Sequence, residues 1–423
     1  MKLRLLNRLN SDFKKNVATL MSGSVVAQLL PFLVSPLLTR IYSPTDFGIF
    51  AVYMGLSALF SVFATGRYEF AIFLPKTHES AINILVLSLL VALVFCLLLF
   101  PFSLGVRFLT GDHWKIISEL GSLIYFVPVG AFVNASFRCF GYWLNRREKY
   151  KKLAVSKILR SLGITSASLI MGYLGFLKWG LIFADVFGLG LASIYLATLS
   201  VIDSKKLKKY ITMLRVRRMA VRYSQFPRVL SFSSVIEMAN THLPSLLLTN
   251  FYSAEIAGYF SLTQRVIFSP VSLVSRSVGD VFRQRASQLM AEQGNCRRLF
   301  DKTAKSLALI GFVPTIILLL FAPYLFRHFF GAEWEISGHF AQILALTFGL
   351  QFVASPISVM FMVAEKQKSD LYMQIYLFLA IIMAFVFSHE YFVEHWTFVY
   401  LLAMVYAIYY LFFIVLSRRY SQK

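Results

Sequence analysis

Ionisable side chains lie inside or at the ends of long apolar runs in this 423-residue sequence, and arginines outnumber acids among them. An ionised group at the centre of a membrane helix costs about 2.5–3.5 kcal/mol on insertion scales, so such groups usually face a protein interior or a wet cavity. A guanidinium stays charged at any working pH and can bind two phosphate oxygens at once. The pattern therefore favours an anionic, phosphate-bearing substrate. The residues within the runs are Arg138, Arg160, Asp185, Glu237, Arg265, Arg276 and Asp280, and those at the ends are Arg40, Arg67 and Glu69.

Several of these residues also have a purely structural interpretation. Arg265 lies in the middle of its run and is predicted to line a central cavity. Arg160 is close to the end of its run, where its side chain could instead reach lipid headgroups. Arg40 either guards the mouth of a cavity or meets headgroups. Glu237 either binds a proton or cation or pairs with an arginine, and we favour the pair; Asp185 has the same two interpretations.

Motifs for other chemistry are missing from the sequence. No GxxxxGK[ST] loop occurs, so no P-loop site for ATP is predicted, and no HExxH or Cys/His cluster has metal-ligand spacing. One short loop holds His389, Glu390, Glu394 and His395, which we interpret as a solvated acidic loop rather than a metal site. We therefore expect a protein that is not an enzyme and has no cofactor other than a coupling proton or sodium ion.

The composition is that of a polytopic membrane protein. Hydrophobic residues make up 58% and charged residues 15% of the sequence, whereas a soluble domain carries about 25% charged residues. The apolar runs are about 20 residues long, the length that a helix needs to cross the hydrocarbon core, and backbone groups there must be satisfied within the chain. We predict an all-α protein with twelve transmembrane helices, at residues 17–38, 47–65, 81–106, 116–138, 153–174, 179–200, 229–249, 255–279, 305–326, 336–363, 371–388 and 396–417.

The distribution of Lys and Arg predicts the orientation of these spans. The basic runs Arg146–Lys157, Lys205–Arg228 and Arg283–Lys305 all fall on the side of the N-terminus, and the C-terminal residues are also basic. Both termini are therefore expected in the cytoplasm. Most of the net charge of +22 follows from this bias. A basic run between two spans lies beside an anionic leaflet, so we expect it to contact lipid and not nucleic acid.

A stretch near the N-terminus recurs in the second half of the chain. Leu33–Phe50 (LVSPLLTRIYSPTDFGIF) matches Leu243–Phe260 (LPSLLLTNFYSAEIAGYF) without a gap, at an offset of 249 − 39 = 210 residues. The repeat predicts two six-helix lobes of equal orientation, related by a pseudo-two-fold axis along the membrane normal. The predicted parts are a basic interfacial amphipathic helix at 1–16, an N-terminal lobe at 17–200, a basic cytoplasmic linker at 201–228, a C-terminal lobe at 229–417 and a cytoplasmic tail at 418–423.

Two segments carry a resemblance to a known family. Gly66–Lys76 (GRYEFAIFLPK) resembles the RYExAIxLPK signature of bacterial polysaccharide flippases, and Thr39–Tyr53 (TRIYSPTDFGIFAVY) resembles the first loop of the same proteins. The chain is thus similar to Wzx-type translocases of O-antigen and capsule units, within the multidrug/oligosaccharidyl-lipid/polysaccharide exporter superfamily. The resemblance implies a V-shaped pair of lobes around a cationic central cavity.

The resemblance also implies a function in the bacterial cytoplasmic (inner) membrane. An undecaprenyl-diphosphate-linked oligosaccharide, an O-antigen or capsule repeat unit, would move from the inner to the outer leaflet by alternating access. Membrane lipids, and the polysaccharide polymerase with its assembly machinery, are the expected partners. Arg67 lies in the matched motif and is implied to bind the diphosphate; Arg265 fits by position only. The hypothesised substrate-binding set is Arg67, Arg265, Arg40, Arg138, Arg160 and Arg276, and the charge-coupling set is Glu69, Glu237 and Asp185.

Other functions remain open at this point. A cation-coupled multidrug antiporter of the same superfamily is the main alternative, although a cavity rich in arginine repels cationic substrates. A membrane polysaccharide polymerase is less favoured because it would need a large outer loop with catalytic arginines, and a lipid scaffold without transport is the least specific hypothesis. The driving force is expected to be the membrane potential or an ion gradient.

Overall fold

The structure is a computed structural model that describes residues 2–110, 114–391 and 394–422, and the side chains of 22–106, 114–228, 230–275, 277–391 and 394–422. The regular secondary structure of these residues is helical, apart from one isolated bridge between Asn295 and Gln422. The first half contains α1 (Lys2–Ile41), α2 (Pro44–Thr65), α3 (His78–Thr110), α4 (Lys115–Leu120), α5 (Phe126–Arg146), α6 (Tyr150–Tyr173), α7 (Leu177–Asp203) and α8 (Met213–Arg222). The second half contains α9 (Ser231–Phe251), α10 (Ala254–Gln293), α11 (Arg297–Phe330), α12 (Glu335–Ile343), α13 (Ala345–Ile357), α14 (Met360–Val363), α15 (Gln367–Tyr391) and α16 (His395–Tyr420).

The helices confirm an all-α polytopic membrane protein. Ten stretches of the described chain are long and apolar enough to cross a membrane. Two further predicted spans, 229–249 and 255–279, coincide with α9 and α10 but are not among those ten. Both helices carry buried polar side chains, such as Asn240 and Thr263. The number of twelve spans therefore stays a prediction, as does the predicted axis between the halves.

Two element boundaries differ from the predicted ones. The basic leader 1–16 and the first span 17–38 belong to one continuous helix, α1, because no residue between them stops a helix; the leader side chains lie outside the described part. The predicted span 336–363 is divided into α12, α13 and α14. Pro356 lies in the last turn of α13, where its ring removes a backbone donor and favours such a break.

Internal contacts divide the chain into two units. Unit 1 contains Met1–Val34 and Val52–Met238, and unit 2 contains Ser35–Ala51 and Ala239–Lys423. The cuts fall inside α1, α2 and α9, so each of these helices contributes to both units. These boundaries differ from those of the predicted lobes, 17–200 and 229–417, and of the predicted linker, 201–228. The lobes and the linker therefore stay a prediction.

Unit 1 is built around α3, α5, α6 and α7. Helix α6 packs along α7, while α5 lies between α3 and α7. The buried core between α3, α5 and the segment after α2 includes Ile72, Ile84 and Trp143. Residues of the predicted basic linker are ordered: a 3-10 turn covers Lys205–Tyr210, and α8 packs against α3.

Unit 2 contains the second copy of the repeated stretch and all of the first copy except residues 33 and 34. Equivalent polar residues of the two copies have equivalent roles. The Ser43 hydroxyl accepts a hydrogen bond from the Asp46 amide, and the Asp46 carboxylate accepts from the Ser43 amide, which is a capping box at the start of α2. In the second copy the Ser253 hydroxyl accepts from the Ile256 amide and caps α10. The sequence identity at these serines therefore reflects the need to start a second helix after a tight turn.

The two repeat copies also contact each other reciprocally through their glycines. A Cβ atom on Gly48 would lie 1.7 Å from the Ala254 carbonyl oxygen, and one on Gly258 would lie 1.8 Å from the Pro44 oxygen. The pairs are related by the repeat offset, since 44 + 210 = 254 and 48 + 210 = 258. Trp334 also contacts the first copy: its indole NH donates to the Thr39 oxygen, and its ring forms a T-shaped pair with Phe47. Only glycine permits the backbones to approach this closely.

We expect Gly48→Ala and Gly258→Ala each to destabilise the protein. The added methyl group cannot fit against a backbone oxygen, so the helices must move apart, and overpacking of this kind costs about 1–3 kcal/mol. The thermal midpoint in detergent, measured by fluorescence-detected size-exclusion chromatography, should fall for both variants. Gly105→Ala is the control because no atom lies within 4 Å of its Cβ position. Equal midpoints for Gly48→Ala and Gly105→Ala would contradict the close crossing.

Candidate functional site

Arg67, in the segment that follows α2, has an uncommon backbone conformation. Gly66 and Arg67 both have positive φ angles, 53° and 57°, before a 3-10 helix at Tyr68–Phe73. Glycine adopts this region freely, but a side chain such as that of Arg67 is uncommon there, and such strain concentrates at functional sites. The sharp turn directs the motif residues back toward α5.

Two arginines share one buried carboxylate in this segment. Glu69 is fully buried, and its Oε1 atom lies 3.5 Å from Arg67 Nη1 and 3.8 Å from Arg138 Nε. Arg138 also donates from Nη2 to the Ser61 carbonyl oxygen of α2, at 2.6 Å. We call Arg67, Glu69 and Arg138 the arginine cluster. It joins two residues of the sequence motif to a third on α5, all within unit 1.

The arginine cluster has an excess of positive charge and unused hydrogen-bonding atoms. Burial lowers the pKa of Arg67, and the neighbouring charge of Arg138 acts in the same direction, while Glu69 and Glu237 oppose it. Within the described part of the chain, Arg67 Nε, Arg138 Nε and Glu69 Oε2 are buried without a hydrogen-bond partner. Buried polar atoms are nearly always paired, so a ligand with acceptor oxygens would satisfy the two guanidinium groups.

A second polar group of unit 1 contains Asp185. The Tyr53 hydroxyl donates to Asp185 Oδ2 at 3.4 Å, and Arg160 acts electrostatically on both residues. The Arg160 guanidinium also lies over the Phe137 ring, 5.7 Å from its centroid. This places Arg160 and Asp185 in one neighbourhood, next to the residue that precedes Arg138 in α5. The sequence pattern did not indicate Tyr53 as a partner because it lies on α2.

The remaining predicted residues are distributed between the units. Glu237 is exposed in unit 1, in α9, near enough to act on Arg67. Arg40 is exposed at the end of α1 in unit 2, where its Nη2 lies 3.4 Å from the His328 oxygen, and Arg265 is half-buried in α10 of the same unit. The side chain of Arg276 lies outside the described residues. The structure thus joins Arg67, Arg138 and Glu69 directly, and roles for all these residues stay predictions.

Unit 2 contains a cluster of polar side chains that the sequence did not predict. Asn240 Nδ2 donates to the Gln374 carbonyl oxygen, and Gln374 Nε2 donates to Asp370 Oδ2. Among the described atoms, Asn240 Oδ1 and Gln374 Oε1 are buried without a hydrogen-bond partner. Carboxylate and amide oxygens are ligands for hard cations. No group of three or more His, Cys, Asp or Glu residues in the described chain could hold a metal ion.

Comparison with known protein families identifies the family of this chain. Residues 37–338 match the family described as polysaccharide biosynthesis protein. The chain belongs to this family. The match covers 338 − 37 + 1 = 302 of the 423 residues and includes both sequence motifs, the arginine cluster and the Asp185 group. The predicted family membership is therefore confirmed.

Two relatives and one solved structure illustrate the similarity of this chain to known proteins. The chain is 24% identical over 362 residues to the capsular polysaccharide biosynthesis protein CapF of Staphylococcus aureus, covering 81% of this chain and 83% of that protein. It is 24% identical over 335 residues to the succinoglycan biosynthesis transport protein ExoT of Rhizobium meliloti, covering 76% of this chain but only 63% of ExoT. The lipid II flippase MurJ has a similar fold, with a TM-score of 0.74 at 15% identity, over 96% of this chain and 87% of MurJ.

Arg146 is a further residue of the site within the family region, and its role was missed. Its Nη1 donates to the Ile72 and Phe73 oxygens at 2.9 and 3.0 Å, and its Nη2 donates to the Pro75 and Thr77 oxygens at 2.6 and 3.3 Å. The guanidinium therefore caps the 3-10 helix that carries Glu69. The sequence placed Arg146 in a basic loop, where it counted only toward the orientation of the spans.

Replacing Arg146 should loosen the segment that carries Glu69. We expect Arg146→Ala to lower the thermal midpoint, because each hydrogen bond to a charged group contributes about 1.5–3 kcal/mol. Arg146→Lys should restore part of the loss, since an ammonium cannot reach four carbonyls in a planar fork. Lys152→Ala is the control, an exposed residue of the same basic run. An Arg146→Ala variant as stable as that control would contradict the capping role.

Proposed function

We propose that this chain is a flippase for a lipid-linked oligosaccharide. Its substrate would be an undecaprenyl-diphosphate-linked repeat unit of O-antigen or capsule, carried from the inner to the outer leaflet of the bacterial cytoplasmic membrane. The observation that supports this most is the arginine cluster, because two guanidinium groups face one carboxylate in a motif segment of a polysaccharide biosynthesis family. The names of CapF and ExoT point to the same substrate class.

In the proposed mechanism Glu69 acts as an internal substitute for the substrate phosphate. Its contacts with Arg67 and Arg138, 3.5 and 3.8 Å, are longer than the roughly 2.7–2.9 Å of a strong charge-assisted hydrogen bond. A diphosphate offers more oxygens and can also accept hydrogen bonds from the two Nε atoms, which donate none to Glu69. The arginines would then move from Glu69 to the substrate when it arrives and return to Glu69 when it leaves, so neither state leaves them without a counter-charge.

Translocation itself would follow the alternating access that paired helical lobes commonly use. The diphosphate and glycan would cross through a wet basic passage while the isoprenoid chain stays in the bilayer, and no covalent bond would break. Coupling to a proton or sodium ion is proposed for the carboxylates Glu69, Glu237 and Asp185. Both termini would lie in the cytoplasm.

A transport assay with purified protein tests this function. Proteoliposomes that contain a fluorescent isoprenoid-diphosphate oligosaccharide should expose it to an added glycosidase at a rate that depends on the protein. The same lipid without the diphosphate, a neutral isoprenoid glycoside, is the control substrate and should move far more slowly. Efflux of a cationic dye, without movement of the diphosphate lipid, would overturn the proposal in favour of an antiporter.

A further inference from the structure

Helix α8 packs against α3 close to the start of the apolar run of that helix. Its buried face carries Val216, which packs in one cluster with Tyr68 and Leu87. Leu87 is nine residues beyond the first residue of α3, His78, which corresponds to about 13 Å along a helix at 1.5 Å per residue. The first turn of α3 is polar and its apolar run begins near Ala81, so α8 packs against the first part of this predicted span.

The inner side of α8 and the preceding turn are attached to the motif segment. The Tyr68 hydroxyl donates to the Ala220 carbonyl oxygen at 3.1 Å. Asn83 donates to the Tyr210 oxygen at 3.1 Å and accepts from the Thr212 amide at 3.4 Å. Tyr68 directly follows Arg67 in the chain, so the position of α8 is linked to the backbone that holds the arginine cluster.

The outer side of α8 has a mixed apolar and basic surface. Met213, Leu214 and Val221 are 75%, 60% and 71% exposed. Arg217 and Arg218 are exposed between them, and neither forms an ion pair within the described part of the chain. Exposed apolar side chains next to unpaired arginines offer contacts to both parts of an anionic lipid, the acyl chains and the phosphate.

We propose that the outer face of α8, residues 213–222, is a docking surface for anionic phospholipid. The apolar side chains would enter the acyl boundary, and the arginines would bind the phosphates. Charge complementarity favours anionic lipid over neutral lipid, because each basic residue near such a surface strengthens the attraction about fivefold. The lysines of the preceding turn, Lys205, Lys206, Lys208 and Lys209, are also exposed but lie outside the proposed surface.

Docking of lipid would also regulate transport. This regulatory role rests on the proposed function. When lipid holds α8 in place, the contacts of Tyr68 and Asn83 hold the segment that carries Arg67 and Glu69. Anionic lipid should therefore raise the translocation rate, because the contacts of the inner face of α8 transmit its effect to the segment of Arg67 and Glu69. Neutral lipid should leave the segment of Arg67 and Glu69 less well ordered.

A fluorescent label on α8 tests the docking surface directly. The three native cysteines are buried, so Leu214→Cys can be labelled selectively with bimane in the full-length protein. In vesicles of phosphatidylcholine and phosphatidylglycerol in equal amounts, lipid-borne nitroxide should quench this label strongly and aqueous iodide weakly. In vesicles of phosphatidylcholine alone, the quenching by nitroxide should be weaker. Lys206→Cys is the matched control on the exposed turn and should show the opposite pattern. When Arg217→Gln, Arg218→Gln and Arg222→Gln are added to the labelled Leu214→Cys protein, the quenching by nitroxide should no longer depend on phosphatidylglycerol.

Other results would overturn the proposal. If iodide quenches the Leu214→Cys label as strongly as the Lys206→Cys label at both lipid compositions, α8 faces water or protein and the docking surface is wrong. If the label responds to lipid but the unmodified protein transports equally with and without phosphatidylglycerol, the regulatory part is wrong. Failure of the proposed transport function is distinguishable, because the unmodified chain would then move no substrate while the label still responds.

Discussion

Replacing Arg67 and Arg138 together by glutamine should reduce translocation of the diphosphate-linked oligosaccharide by about 100-fold or more. Removing one partner of a buried charge pair costs about 2–5 kcal/mol, and both guanidinium groups face the same Glu69 oxygen. The two single variants should each lose less than the double variant, because the remaining arginine can still bind one phosphate. Glutamine keeps a polar side chain of similar length, which limits the damage to packing.

The measurement is the protein-dependent exposure of the labelled substrate in proteoliposomes, normalised to folded protein by size-exclusion chromatography. Arg327→Gln is the matched control, since Arg327 also pairs with a carboxylate, Glu335, but both side chains are exposed. It should transport at the normal rate, because exposed ion pairs contribute little. Conservative Arg67→Lys and Arg138→Lys variants should retain a small but measurable rate. Normal transport by the double glutamine variant would show that the arginine cluster does not bind the substrate.

The fold was largely predictable from the sequence because the hydrocarbon core imposes a simple rule. A run of about 20 apolar residues must be a helix there, and each predicted span falls on helical residues in the structure. The joins were harder to predict. Nothing in the apolar pattern separates the basic leader from the first span, so α1 is continuous. The same pattern does not show where 336–363 divides into α12, α13 and α14, although Pro356 marks the end of α13.

The arginine cluster was only half predictable. Arg67 and Glu69 are two residues apart, and their motif marked them, but Arg138 follows 138 − 67 = 71 residues later on α5, and its approach to Glu69 is a tertiary contact. Arg146 was missed for the same reason: its four acceptors are backbone oxygens, which no sequence pattern identifies. Reciprocal glycine contacts were predictable in part, because an exact 210-residue offset suggested equivalent roles without indicating that the copies touch.

Replacing Glu69 by glutamine should destabilise the protein and make its stability depend on a diphosphate ligand. Glu69 is fully buried and is the one carboxylate within ion-pair distance of Arg67 or Arg138 in the described part of the chain. Its removal leaves the buried guanidinium of Arg67 and the partly buried guanidinium of Arg138 without that counter-charge, and breaking a buried ion pair from one side costs about 3–5 kcal/mol. We therefore expect a clear fall in the thermal midpoint of Glu69→Gln in detergent.

The diphosphate should reverse much of this fall if Glu69 occupies the place of a substrate phosphate. A ligand that binds only the folded state raises stability in proportion to its occupancy, and in Glu69→Gln no internal carboxylate competes with it. Farnesyl diphosphate is a suitable soluble probe, and farnesol is its neutral control. The midpoint of Glu69→Gln should rise more than that of the unmodified protein with farnesyl diphosphate, and neither should respond specifically to farnesol.

A second variant separates a binding role of Glu69 from a purely structural one. Glu69→Gln with Arg138→Gln removes one of the two uncompensated charges, so its midpoint should recover without ligand. It also removes half of the phosphate site, so the shift with farnesyl diphosphate should shrink. If Glu69 only neutralises its neighbours, the single variant would stay unstable at every concentration of farnesyl diphosphate, and the exchange of carboxylate for phosphate would have to be abandoned. Recovery by ligand in the single variant and by charge removal in the double variant would together support that exchange.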